Sequence, residues 1–192
     1  MIQRDFSNLT GKILIATPFA MQGNVFYKSL IYMIRHGNEG SVGLIFNHPV
    51  QNINADYLFK KLDSGMHSSD LQLNLHLGGP VEMGRGFFLH TNERKEKNVL
   101  FHSADANIAV SSSTNIVQDV ASGDGPENSI FIIGYTGWNS KQLESEIESG
   151  LWLITEPDHD LVFSEDSQNK WSKALGIVGV SASEYIPSDI RC

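Results

Sequence analysis

Cysteine is nearly absent: of 192 residues only Cys192, the last, carries a thiol, so no disulfide can close within the chain. A fold without disulfides suits a reducing cytoplasm, which is the expected compartment. Long apolar runs are missing as well. No stretch approaches the roughly 20 consecutive apolar residues of a membrane-spanning helix. The run Ile13–Ala16 is preceded by Asp5 and cut off by Pro18, so it lacks the form of a secretory signal. Positive charge is scarce too: 14 Lys and Arg stand against 22 Asp and Glu, a net charge of −8. Such a balance repels phosphate and anionic lipid at long range, which weighs against direct nucleic-acid binding and against a membrane surface. No segment interleaves basic and polar residues as a DNA-recognition helix does.

Signatures of catalysis are also missing. The chain has no G-x-S-x-G elbow, no H-E-x-x-H pair and no paired cysteines. The segment from Gly134 to Lys141 superficially resembles a P-loop, but Gly134 and Gly137 are three apart rather than five. A glycine-bearing turn from strand to helix accounts for it. His76, His90 and His102 fall on or beside neighbouring strand-like runs, and convergence on one face would make them a zinc-like set. Histidines bonded to backbone are the commoner case, and neither a metal nor a cofactor is expected. Glu156-Pro157-Asp158-His159-Asp160 reads as a solvated loop.

What is present belongs to one folded domain. Hydrophobic residues make up 41% and charged residues 19%, values of a globular chain. Lys12–Thr17 is a β-branched run that ends at Pro18 and reads as a buried strand. Leu30–His36 and Ser41–Asn47 flank Gly37-Asn38-Glu39-Gly40, the pattern of a β-hairpin. Asn54 is placed to cap a short helix carrying Leu58, Phe59 and Leu62. Leu71–Leu77 alternates, with its leucines toward a core and Gln72, Asn74 and His76 away from it. Gly86–Thr91, Asn98–Ser103 and Ile108–Ser112 predict an antiparallel meander, and Thr114–Ser122 a helix. Ser129–Gly134 is the most apolar strand. Asn139 and Gln142 form a capping-box pair that opens a helix over 141–149, with Leu143 and Ile147 one turn apart. Leu151–Thr155 and Leu161–Phe163 read as strands and Gln168–Leu175 as a helix. The fold class is therefore a strand-rich α/β domain of the α+β kind.

Several spaced motifs carry a resemblance. They are Leu14-Ile15-Ala16-x-Pro18, His36-x-x-x-Gly40-x-x-Gly43-Leu44-Ile45-x-Asn47-x-Pro49, Leu77-Gly78-Gly79-Pro80-Val81 and Arg85-Gly86-Phe87-x-Leu89-His90. Gly134-Tyr135-x-Gly137-Trp138-x-x-x-Gln142-Leu143-Glu144-x-Glu146-Ile147 and Trp152 complete the set. In order and spacing the chain resembles the YqgE/AlgH family of small bacterial cytosolic proteins over about residues 10–178. The resemblance implies a single domain over 1–192, with a bifurcated, mostly antiparallel sheet partly closed as a barrel and flanked by helices. It implies little about activity; some members carry a transcriptional-regulator label. Three positions depart from the family pattern. Arg35 stands where an acidic residue usually precedes His36, Lys141 replaces a glycine before Gln142, and Gln22-Gly23-Asn24 alters an Asp-Pro turn. The first removes the nearest carboxylate from His36.

The candidate ligand or partner surface comprises Asn47, Gly78, Gly79, Arg85, His90, Trp138, Gln142 and Glu146, the polar, aromatic or loop-forming residues of these motifs. With no complete catalytic set, the leading expectation is a non-enzymatic binding or regulatory protein, acting through a protein partner or a small anionic ligand. A regulator that contacts DNA directly or indirectly is one alternative. The other is a small enzyme with an anion-binding cleft around Gly79, Arg85 and His90, where backbone N–H groups and a guanidinium would hold the anion. The acidity is local: residues 118–166 carry eleven Asp and Glu against Lys141 alone. A protein partner at the 139–150 helix is therefore expected to be basic.

Overall fold

The computed structural model describes residues 8–18, 23–50, 75–93, 99–103, 106–112, 116, 119–120 and 123–181. Among the described residues nine strands run in chain order: β1 Ile13–Ala16, β2 Leu30–Gly37, β3 Gly40–Ile45, β4 Leu75–Leu77 and β5 Val81–Thr91, then β6 Val99–Ser103, β7 Ile108–Ser111, β8 Ser129–Trp138 and β9 Trp152–Thr155. Three helices are complete within the described residues: α1 Gln142–Glu148, α2 His159–Phe163 and α3 Ser167–Ile177. Ile116, Asp119 and Val120 are also helical, within the helix expected over 114–122. The helix expected from Asn54 and the thiol of Cys192 lie outside the described residues.

The strands form one sheet in the order β6-β7-β5-β8-β3-β2-β1-β9, with β4 attached to β8 beside that path. Its first half is the β2–β3 hairpin, turned by Asn38 and Glu39 between paired Gly37 and Gly40, with β1 and β9 beyond it. In the second half, β7 lies between β5 and β6 instead of following them in a meander. Burial explains the order. All four residues of β7 are buried, so it belongs inside the sheet, whereas β6 alternates between half-buried and exposed and suits an edge.

β8 joins the two halves and carries the bifurcation. Its first half, Ser129–Ile133, pairs β5 on one edge and parallel β4 on the other, while Thr136–Trp138 pairs β3. The strand thus continues through Gly134–Trp138, where a strand-to-helix turn was expected. The barrel closure implied by the resemblance is not found: β6 and β9 end the path, and the sheet stays open. Helix α3 occupies the space between the halves instead. Trp171 Nε1 donates to the Ala16 carbonyl at 2.8 Å, and Trp171, Ala174 and Leu175 join a core shared with Tyr32, Leu44, Phe87 and Ile132. The opposite face of the first half packs Ile31, Met33 and Ile45 against Leu143 and Ile147 of α1. Burying that leucine and isoleucine contributes about 2 kcal/mol each.

Residues 161–163 are helical rather than extended. Asp158 caps α2 by accepting the Leu161 N–H at 2.8 Å, so the acidic turn at 156–160 begins a helix instead of standing as an open loop.

Candidate functional site

Helix α1 is fixed to the sheet by one carboxylate. Glu146 Oε2 accepts from the indole N–H groups of both Trp138 and Trp152 at 2.8 Å, and its Oε1 accepts from Gln142 Nε2 at 2.9 Å. The indoles meet edge to face with centroids 6.1 Å apart. Gln142 also accepts the Asn139 N–H at 3.0 Å, which is half of the expected capping box; the N-cap residue is Lys141 rather than Asn139, and no side chain caps it. Trp138, Gln142 and Glu146, three of the sequence-derived candidates, therefore form a single cluster in which the Glu146 carboxylate is fully engaged. Two residues before it, Glu144 comes within 3.4 Å of His36 Nε2. His36 Nδ1 accepts the Leu9 N–H at 3.3 Å, which places the ring proton on Nε2, facing that carboxylate. The approach lacks hydrogen-bond alignment, and the imidazole is nearly enclosed. Helix α1 thus supplies the carboxylate that Arg35 removes from the chain beside His36. Because Glu144 and Glu146 both turn toward the sheet, Glu148 is the only acidic residue of α1 that is exposed.

Gly78 and Gly79 serve a crossing of two chain segments. β4 lies on one edge of β8 and β5 on the other, so the link Gly78-Gly79-Pro80 must pass over β8. A Cβ on Gly79 would lie 2.3 Å from the Tyr135 carbonyl oxygen, and one on Gly78 would lie 2.3 Å from that of Gly134. Gly134 itself has φ +72, and a Cβ there would lie 2.6 Å from the Gly79 carbonyl oxygen. The glycines of two separate motifs are thus explained by a single close approach of backbones.

The same irregularity opens a pocket. Between Val81↔Tyr135 and Gly86↔Ile133, residues 82–85 of β5 stand opposite Gly134 alone, a wide bulge in which Glu82 has φ 45. A second bulge lies in β2, where Met33 pairs Gly43 and Arg35 pairs Val42, leaving Ile34 extra. Strict alternation would put Arg35 on the face of Met33. The inserted residue turns both Ile34 and Arg35 away from that face and sends His36 under α1. The result is a cavity of about 400 Å³ walled by Ile34, Val42, Phe87 and Leu100. Arg35, Arg85 and Tyr135 also line it. The Arg85 guanidinium stacks over Phe87 at 5.2 Å and comes within 3.4 Å of Glu82 Oε2. The Tyr135 hydroxyl donates to Glu82 Oε1 at 3.2 Å. Its pKa is raised from the ordinary value by burial first and then by Glu82, while Arg85 and Arg35 pull it down.

The remaining candidates are structural or lie elsewhere. Asn47 is buried and bridges the hairpin, accepting from Leu30 N–H at 2.7 Å and donating to the Lys28 carbonyl at 2.9 Å. His90 is fully buried, its Nδ1 2.8 Å from the Thr91 carbonyl oxygen and its Nε2 2.9 Å from Ser111 Oγ. Arg85 shares a face of β5 with Phe87 and Leu89, whereas His90 lies on the other, so the two are not brought into one anion-binding cleft. His76 is buried as well, because α3 covers its side of β4 and places Ser167 Oγ 3.5 Å from Nε2. His102 is exposed on β6. Among the described residues no group of three or more His, Cys, Asp or Glu is arranged to hold a metal, and no helix is long and apolar enough to cross a membrane.

Sequence reasoning missed Lys170, Glu82, Tyr135 and the pocket role of Arg35. Lys170 is 1% exposed, donates to the Val162 carbonyl at 2.5 Å and lies over the Phe46 ring at 5.5 Å. Burial lowers its pKa to about 8. The one signal available for the pocket was that Arg35 departs from the family pattern. Its direction depends on a bulge that alternation cannot reveal.

Comparison with known proteins agrees with this architecture. Residues 13–183 match the AlgH-like family model, DUF179. The UPF0301 protein RP032 of Rickettsia prowazekii is 41% identical over 181 residues, 94% of each chain. The UPF0301 protein RT0098 of Rickettsia typhi is 41% identical over 191 residues, 99% of this chain and 98% of the other. The solution structure of the AlgH protein from Pseudomonas aeruginosa superposes with a TM-score of 0.76 at 29% identity, covering 95% of both chains. Protein DIP2367 of Corynebacterium diphtheriae shares the fold, with a TM-score of 0.66 at 16% identity over 86% of this chain and 84% of that one. With its divided sheet, its Gly78-Gly79 crossing and the Trp138–Glu146–Trp152 cluster, the chain belongs to the AlgH-like family.

Proposed function

We propose that the protein is a non-enzymatic binding module whose ligand is a small anion held at the Arg35–Arg85 pocket. One observation carries this reading: two guanidiniums, from β2 and β5, line the same apolar-walled cavity in a chain of net charge −8. Arg35 has no carboxylate partner among the described residues, so its charge is available to a ligand. The cavity falls within the roughly 300–1,000 Å³ range of small-molecule sites. The bulges that open it are local departures from regular pairing, of the kind that re-aim side chains beside functional sites.

Titration of ¹⁵N-labelled protein with small carboxylates, phosphates and sulfonates tests the reading. Amides of Ile34, Arg35, Arg85, Phe87 and Tyr135 are expected to shift together and saturate. Arg35→Ala and Arg85→Ala should each weaken binding about ten-fold, the loss of one charge-assisted hydrogen bond. A panel that leaves those amides unmoved would refute the assignment.

A further inference from the structure

The second inference rests on the Arg35–Arg85 reading and concerns what its ligand is and what now occupies the head-group position. Two groups of the pocket that can donate to an anion, Arg85 Nη1 and the Tyr135 hydroxyl, are both turned to one carboxylate of the protein itself. Glu82 takes the first with Oε2 at 3.4 Å and the second with Oε1 at 3.2 Å. That carboxylate sits on the wide bulge 82–85, at φ 45, a left-handed conformation that side chains rarely adopt. The bulge is exposed over its whole length, and only its ends pair β8. The Glu82 side chain is exposed, so it can swing away while Arg85 keeps its place over Phe87. Arg35 meanwhile stands across the cavity without a carboxylate of its own among the described residues.

We infer that Glu82 is a tethered stand-in for the anionic head of the ligand, and that the ligand is an amphipathic monoanion, one acidic group on an apolar body. The head displaces the Glu82 carboxylate from Arg85 and Tyr135 and gains Arg35. The body covers Ile34, Val42, Phe87 and Leu100. A bare inorganic anion would leave those apolar walls in water, and a polyanion would find only two guanidiniums among the lining residues. Leu100, a lining residue 47% exposed, is a large apolar side chain left open at the pocket, and covering it suits an apolar ligand body. Glu82 therefore weakens binding by competition, and displacement of its side chain reports occupancy.

The probe is 8-anilinonaphthalene-1-sulfonate, an aromatic monoanion whose sulfonate stays ionised across ordinary pH and whose fluorescence rises on binding. Affinity is measured for the intact wild-type chain, for Glu82→Gln, which keeps the reach of the side chain, and for Glu82→Asn, which shortens it and tolerates positive φ. Removing the competing carboxylate should tighten saturable one-to-one binding three- to ten-fold in both variants, the scale of an exposed ion pair plus one hydrogen bond. Arg85→Ala should weaken it about ten-fold. If binding requires Arg85 but tightens in neither Glu82 variant, or in only one, the stand-in role is overturned while the pocket survives. If the probe does not bind any form saturably, or binds Arg85→Ala as well as wild type, the pocket reading falls and this inference falls with it. Acetate and inorganic phosphate form the second arm. Either one binding as tightly as the sulfonate would overturn the amphipathic class.

Discussion

Replacing Glu146 by alanine should cost more stability than alanine at any other polar position of helix α1. The carboxylate is the only acceptor shown for two indole N–H groups, and those indoles are almost enclosed, Trp138 at 7% and Trp152 at 1% exposure. A buried donor left without a partner costs about 1–3 kcal/mol. The cluster opens partly to solvent on the Glu146 side, so the lower part of that range applies. Two donors then give about 3 kcal/mol, and release of Gln142 adds a few tenths by loosening the first turn. With a urea slope near 2 kcal/mol/M, the unfolding midpoint should fall by about 1.5 M. Glu146→Gln is the informative companion. Its carbonyl oxygen can still accept from both indoles, but its NH₂ would face the Gln142 amide, which is already committed as a donor toward this position and as an acceptor from Asn139. A cost of about 1–2 kcal/mol follows from that one mismatch. Equilibrium urea unfolding followed by far-UV circular dichroism measures both variants. A cycle with Trp138→Phe should return a coupling of about 1.5 kcal/mol, because phenylalanine has no N–H to strand. If Glu146→Ala loses less than about 1 kcal/mol with an unchanged slope, the indoles are satisfied without the carboxylate and the argument fails.

Two further outcomes follow from backbone conformation and burial. Lys141 stands at the start of α1 with φ 61 and its side chain exposed, so Lys141→Gly should raise stability by about 1 kcal/mol and the midpoint of thermal unfolding by about 2–4 °C; no gain in calorimetry would show that the left-handed residue is not strained. For Lys170 the folded pKa, about 8, lies below the ordinary lysine value of 10.5, so the unfolded chain holds more protons between those limits. The cost of burying the ammonium is therefore fully present below pH 8 and is relieved as pH rises toward 10.5. Lys170→Met should exceed wild type in stability at pH 7 and lose that advantage progressively above pH 8. A stability difference independent of pH between 7 and 10 would contradict the sign.

Much of the fold could be read along the chain where local chemistry and tertiary context agree. The β2–β3 hairpin was legible because Gly37-Asn38-Glu39-Gly40 admits a tight turn and little else. The α1 register was legible because Leu143, Ile147 and the Asn139–Gln142 pair repeat at helical spacing. Gly134–Trp138 was not, since glycines that mark a turn in isolation here allow one strand to be crossed by another chain segment. Residues 161–163 look extended by composition, yet the cap from Asp158 makes them helical.

The candidate site shows the same division more sharply. The motifs do contain Trp138, Gln142 and Glu146, and their spacing places the last two one turn apart on α1. Arg85 was legible as a cation between glycines, although there it read as part of a turn rather than of β5. That His90 is sealed against Ser111 of β7, and that Arg35 rather than His90 shares the pocket with Arg85, could not be read from alternation. A single inserted residue at Ile34 reverses the facing of everything after it in β2.

Turn residues, caps and apolar periodicity act over a few positions, and by themselves they determined the hairpin, helix α1 and the apolar centres of most strands. Strand order, the open rather than closed sheet, the crossing at Gly79 and Gly134 and the two bulges were decided only in three dimensions. Each depends on which buried surface finds a partner far along the chain. β7 goes inside because all its residues need cover, α3 fills the space between the halves, and a bulge is kept where it places Arg35 over the pocket and His36 against α1.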